Sequence, residues 1–152
     1  MKNKIGITLF VLYVLQAVLN IKWVYLENLQ HIEVYKKWSG LVLILLILSQ
    51  WYLSVLRMKN KFNVDTFIEI HKWVGVILPI AFYFHSTSLG FGILLLLSIV
   101  FLINIAIGFI NTYSLLERFP KFYDAWVFSH IVLSVAVLVF AVVHVWLVFL
   151  YN

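Results

Sequence analysis

Four histidines lie inside apolar runs of this chain in two matched pairs, His71 with His85 and His130 with His144, each pair fourteen positions apart. Fourteen residues are close to four α-helical turns, so both histidines of a pair fall near one helix face, about 21 Å apart along the axis. Two such helices side by side offer four imidazole ligands at two depths. A histidine within hydrocarbon costs free energy and usually faces a bundle interior, a pore or a cofactor, so two matched pairs need a chemical reason.

The chain holds no cysteine, which excludes thiolate-ligated zinc, iron-sulfur clusters, disulfides and a cysteine nucleophile. Histidine is the strong soft ligand that remains. Zinc or copper held by protein alone needs three or four ligands gathered at one point. Two ligands at each of two distant depths instead suit a porphyrin, which supplies four nitrogens itself and takes one imidazole above and one below. Bis-imidazole ligation fills both axial positions of haem iron and leaves none for substrate, so such a site carries electrons. The expectation is two b-type haems. A flat cofactor between helices also needs small residues beside its ligands. Gly75 follows His71 by one turn, Ala81 precedes His85 by one turn, Ser134 follows His130 by one turn, and Ala141 stands three positions before His144. Between the two planes the inward face is expected to carry Leu78, Phe82, Val137 and Phe140, apolar residues that also serve as ordinary packing. The fifth histidine, His31, has no spaced partner and reads as a solvated residue of a loop.

The elements that must position these ligands follow from composition. Of 152 residues, 64% are hydrophobic and 11% charged, and the mean hydropathy is +1.05. That is far above the apolar share of ordinary soluble domains and identifies an all-α integral membrane protein. The net charge of +5 is spread in short clusters between apolar runs rather than gathered on one face, so it reads as membrane topology and not as a nucleic-acid surface. Five stretches approach the roughly 20 residues that cross a hydrocarbon core. They are residues 5–26, 39–56, 67–86, 91–110 and 125–151, within one domain spanning 1–152. Met1 to Lys4 followed by an apolar run resembles a signal peptide, but with no small-residue cleavage site it reads as a retained first helix. Thr66 with Glu69 has the pattern of a capping box before the third segment, and Asp124 is a candidate cap for the fifth.

Orientation follows from the cationic residues near segment ends. Lys2, Lys4, Arg57, Lys59, Lys61, Lys72, Arg118 and Lys121 fall on the amino-terminal side, against Lys22, Lys36 and Lys37 on the other, eight against three. The amino terminus is therefore expected in the cytoplasm and the carboxyl terminus outside the cell (inner) membrane. The third and fifth segments then run parallel, which pairs His71 with His130 at the inner depth and His85 with His144 at the outer. Haem propionates need cationic or hydrogen-bonding partners near each surface. Lys72, Arg57 and Arg118 are inner candidates, and Lys36 and Lys37 outer ones, although each serves equally as a topology determinant.

At this point the chain resembles the ferric reductase-like transmembrane domain, the haem-bearing core of ferric reductases, NADPH oxidases and the haem subunit of bacterial methionine sulfoxide reductase systems. The resemblance covers most of the chain and rests on HKWVGVILPIAFYFH at 71–85 and FYDAWVFSHIVLSVAVLVFAVVH at 122–144, either side of one intervening segment. It implies two stacked b-type haems between the third and fifth helices, held by His71, His85, His130 and His144. Family members with a fused dehydrogenase continue into flavin and nicotinamide domains, whereas this sequence ends at Asn152 and has no dinucleotide fingerprint. The expectation is the haem-binding membrane component of an oxidoreductase without its own dehydrogenase domain, served by a separate donor and possessing room for a partner subunit or second copy.

Three functions compete. The leading one is transmembrane electron transfer from a cytoplasmic-side donor to an extracytoplasmic acceptor, such as ferric iron, oxygen or a redox partner protein. Outward movement of one electron gains about 2.3 kcal/mol per 100 mV when the interior is negative. The alternative is a quinol-oxidising cytochrome b subunit of a respiratory complex, for which Gln50, Asn104 and Asn111 are the available polar groups, each also a plausible helix-packing residue. The third is a non-redox metal transporter or assembly subunit, which would be expected to carry acidic residues along a path, yet the segment interiors hold none.

Overall fold

A computed structural model of the chain describes residues 2–59, 63–110 and 120–150, and these are helical and without strands. Six helices follow one another: α1 Lys2–Val18, α2 Val24–His31, α3 Glu33–Met58, α4 Val64–His85, α5 Ile93–Gly108 and α6 Pro120–Leu150. Three contain stretches long and apolar enough to cross a membrane, Glu33–Leu56, Asp65–His85 and Lys121–Leu150, while Lys4–Val18 and Ile93–Gly108 are shorter apolar helices. Of the expected ligands, His71 and His85 lie on α4, and His130 and His144 on α6. Lys61, Asn111, Arg118 and Tyr151 lie outside the described residues, as do the side chains of Lys2 and Arg57.

The first expected segment, 5–26, is not one helix. Asn20 adopts a left-handed backbone at φ 52°, a conformation asparagine tolerates better than branched residues. The Ile21 N–H then reaches back to the Gln16 carbonyl at 3.0 Å, the six-to-one bond of a Schellman turn, and the Gln16 amide donates to the Ile21 carbonyl at 2.6 Å. These bonds satisfy the end of α1 at Val18, and the chain restarts as α2. The second segment begins at Glu33 rather than Ser39, with Glu33 suited to the positive end of the helix dipole. Lys36 and Lys37 therefore belong to the first turns of α3, and His31 is the exposed last residue of α2 rather than part of a loop.

The start of α4 also differs from the expected capping box. Asn63 is the N-cap, its side chain accepting from the Asp65 N–H at 3.2 Å, so His71 lies two full turns inside the helix. At the other boundary the helix ends at His85, with the Ser86 N–H bonded to the Phe82 carbonyl at 2.7 Å. Buried Pro79 interrupts the ladder, because proline has no N–H to give the carbonyl of Gly75. α6 begins at Pro120, so Asp124 is an interior residue and not a cap. Gly90, at φ 77°, precedes α5 where a Cβ would meet that of Leu94 at 2.7 Å, which restricts the position to glycine.

Packing divides the chain into two compact units, Met1–Ser88 and Leu89–Asn152. In the first, α4 packs between α1 and α3. Tyr13 of α1 sets its ring against Phe82 and Tyr83 at centroid distances of 5.3 and 6.3 Å, so α1 runs in the same direction as α4. Gly40 near the start of α3 meets His85 at the end of α4, so that pair is antiparallel. Leu43, Ile47, Leu78 and Phe82 are buried along this packing stripe. In the second unit α5 and α6 are antiparallel, with the end of α5 against the early turns of α6. Val137 and Ala141 are buried there. Elsewhere the helices present exposed apolar side chains, among them Leu45, Tyr52, Val139 and Phe149.

Candidate functional site

His85 stands where four segments converge. The end of α4 leaves carbonyls without intrahelical donors, and such groups need other partners when withdrawn from water. Gln30 of α2 provides them. Its amide nitrogen donates to the Tyr83 carbonyl at 3.0 Å and the Phe84 carbonyl at 3.1 Å, and its oxygen accepts from the Thr87 N–H at 3.2 Å and the Thr87 hydroxyl at 2.9 Å. Gln30 and Thr87 are both buried. The Tyr35 hydroxyl adds a bond to the Phe84 carbonyl at 2.9 Å, and the Gln16 amide reaches the Thr87 carbonyl at 3.3 Å. The imidazole itself rests on α3. Its Nδ1 is 3.1 Å from the Ser39 hydroxyl oxygen, and a Cβ built on Gly40 would lie 3.0 Å from its Cε1.

His71 is braced by its own helix. Phe67, one turn earlier and buried, stacks on the imidazole at 5.8 Å between centroids and 22° between planes. Open space adjoins Gly75 one turn later, where an added Cβ would meet nothing within 4 Å.

In the second unit His130 repeats the stacking arrangement. Trp126, again one turn earlier, lies parallel to the imidazole at 5.8 Å and 1°. Tyr123 stacks on Trp126 in turn, at 5.8 Å and 27°. The indole N–H is anchored on the Ile107 carbonyl of α5 at 2.8 Å, and a Cβ on Gly108 would stand 3.3 Å from His130 Cε1. The Nδ1 atoms of His71 and His130 are both withdrawn from solvent. Ser134 ties His130 to the neighbouring helix. Its hydroxyl donates to the His130 carbonyl at 2.7 Å and accepts from the Asn104 amide at 3.0 Å, which assigns Asn104 to packing α5 against α6. His144 is half-buried near the far end of α6.

α4 and α6 each carry two imidazoles at separate levels, and among the described residues no three His, Cys, Asp or Glu gather to hold a metal ion by themselves. Of the cationic residues considered for propionates, exposed Lys37 lies 3.7 Å from Glu33 one turn away, a surface pair of small energetic weight.

Sequence reasoning missed the braces: Gln30, Tyr35 and Ser39 near His85, Phe67 beside His71, and Trp126 and Gly108 beside His130. The aromatic ones carry a signal, an aromatic residue four positions before the histidine at Phe67 and His71, Trp126 and His130, and also Phe140 and His144. No family model, characterised protein or solved structure matches this chain.

Proposed function

We propose that this protein is a b-type cytochrome of the cell membrane that carries electrons across the bilayer through two haems. His71 and His130 would hold the inner haem, and His85 and His144 the outer one. α1 and α5 complete five spans, with the amino terminus in the cytoplasm. The observation that carries this reading is the repeated fourteen-residue histidine spacing in apolar α4 and α6, with three of the four rings braced by stacking or close glycine contact. The likeness of 71–85 and 122–144 to the ferric reductase-like transmembrane domain supports it further.

Bound haem would supply reversible one-electron exchange between ferric and ferrous iron. The chain's own part is to hold the imidazoles at two depths and to keep water from them with apolar packing such as Leu78, Phe82 and Val137. A reduced flavoprotein at the cytoplasmic side gives up one electron per transfer, and an extracytoplasmic acceptor takes it. Ferric iron becomes ferrous, oxygen becomes superoxide, or a partner protein is reduced.

A second reading, quinol oxidation, is favoured by one residue. Both polar atoms of the Gln50 amide are buried without a hydrogen-bond partner. Counting ten residues along α3 from Gly40 and ten back along α4 from His85 brings Gln50 to the level of Gly75, about one turn from that of His71. A quinol hydroxyl there would meet an amide with its bonding capacity unspent.

The deciding measurement is a reduced-minus-oxidised spectrum with haem quantification on the purified full chain and on His85→Ala and His130→Ala. Two b-type haems per chain are expected, each substitution removing one. Wild type without haem after expression with ample haem supply refutes the proposal. Reduction of both haems by a short-chain quinol, abolished in Gln50→Leu, selects the second reading over a flavoprotein donor.

A further inference from the structure

Ser39 makes two contacts that together constrain the proton on His85. Its hydroxyl oxygen is 3.2 Å from the Lys36 carbonyl and 3.1 Å from His85 Nδ1. A hydroxyl has one proton and two lone pairs, whereas a carbonyl oxygen can only accept. The bond to Lys36 therefore uses the Ser39 proton, and Ser39 faces the imidazole as an acceptor. With that bond formed, hydrogen on Nδ1 is what completes the contact to His85. In a neutral ring, a proton on Nδ1 leaves Nε2 unprotonated.

The glycine beside Ser39 determines which edge of the ring is seated. A Cβ built on Gly40 would be 3.0 Å from Cε1, 3.5 Å from Nδ1 and 3.8 Å from Nε2. The Nδ1–Cε1 edge thus faces Gly40, and Nε2 is the atom of the three farthest from that Cβ position. The hydrogen bonds from Gln30 and Tyr35 to the last carbonyls of α4 hold the backbone from which this ring projects.

We infer that Ser39 is a positioning residue that holds His85 in the Nδ1–H tautomer and presents an unprotonated Nε2 as the iron-ligating nitrogen. This rests on the haem reading above. The opposite arrangement, with Ser39 donating to Nδ1, puts hydrogen on Nε2 and blocks ligation there, so the Lys36 carbonyl is an essential part of the device. A metal-ligating imidazole that donates its other N–H is fixed in orientation and made more basic. The same contact accordingly favours the ferric state of the iron it serves.

The first test reads the tautomer without haem. Full chain is produced in haem-limited cells with ¹⁵N-labelled histidine and reconstituted in nanodiscs, and long-range ¹H–¹⁵N correlations are assigned through the signal lost in His85→Gln. Wild type is expected to show His85 protonated at Nδ1, Ser39→Ala to shift toward the Nε2–H form, and Ser39→Thr to retain the wild-type pattern. An Nε2–H His85 in wild type, or an unchanged tautomer in Ser39→Ala, overturns the assignment. The second test is redox titration of haem-loaded protein. Ser39→Ala is expected to raise the midpoint potential of the haem that His85→Ala removes, leaving the other unmoved, with Ser39→Thr restoring it. Two haems with unshifted potentials in Ser39→Ala refute the role of Ser39 alone. A wild type that binds no haem refutes the haem reading and, with it, the assignment of Nε2 as an iron ligand.

Discussion

Replacing Gln30 with leucine removes the amide that closes the end of α4 while roughly conserving side-chain volume, so the loss is chiefly polar. Four contacts disappear: those to the Tyr83 and Phe84 carbonyls and those from the Thr87 N–H and hydroxyl. The Phe84 carbonyl keeps the Tyr35 hydroxyl at 2.9 Å, which leaves three groups deprived of this partner. A buried polar group left unsatisfied costs about 1–3 kcal/mol, so three at the lower end total about 3 kcal/mol. Water reaching this end of the helix would lower the figure, but even about 2 kcal/mol is a large part of a typical folding stability of about 5–15 kcal/mol. Fraying of the last turn would also move His85 away from Ser39. Denaturant unfolding of detergent-solubilised protein, followed by circular dichroism, should show Gln30→Leu unfolding earlier than wild type. Its haem content should fall by the same haem that His85→Ala removes. A Gln30→Leu protein with the wild-type midpoint and both haems intact would refute the argument that α2 supports this ligand.

Two glycine comparisons separate close contact from open space. Gly40→Ala and Gly75→Ala each gain roughly 1 kcal/mol of helix propensity. At Gly40 the new methyl would stand 3.0 Å from His85 Cε1, about half an ångström inside ordinary carbon contact, whereas at Gly75 it meets nothing within 4 Å. Haem titration should therefore show weakened binding at the His85 site in Gly40→Ala and wild-type binding at both sites in Gly75→Ala; equal behaviour of the two variants would contradict the packing. Gly75→Phe fills the space beside His71 and is expected to exclude the haem that His130→Ala removes, so retention of both haems in its spectrum would show that the cofactor does not use that space.

The helical class and three of the five expected membrane-length stretches were legible because a hydrocarbon environment leaves few options: long apolar runs with satisfied backbone groups. Histidine spacing was legible for the same local reason, since each pair lies on one helix, α4 continuing through the ladder bond lost at Pro79. The break at Val18 was not. It depends on the left-handed conformation of Asn20 and a bond from Ile21 to Gln16, and an asparagine within an apolar run does not by itself specify either. The cap of α4 was misplaced because Asn63 and Thr66 are both acceptable capping types, and only backbone geometry distinguishes them. Ser39 and Gly40 were hidden more deeply. Their importance arises from the antiparallel register of α3 and α4, which places them beside a residue more than forty positions away.

The two histidines of α4 are supported by different forces because they occupy different parts of the helix. His71 lies two turns inside, where neighbouring carbonyls already have intrahelical donors, so its surroundings need supply shape but few polar groups. Phe67 does this from the same helix, and Trp126 does the equivalent for His130 in α6. His85 is the last residue of α4, among carbonyls whose donors must come from elsewhere. The groups that satisfy these carbonyls, the Gln30 amide and the Tyr35 hydroxyl, come from α2 and α3. Directional bonds fix a ring more closely than stacking does, but they depend on more of the chain. Changes in α2 or the start of α3 should therefore act on the His85 site and spare the stacked histidines.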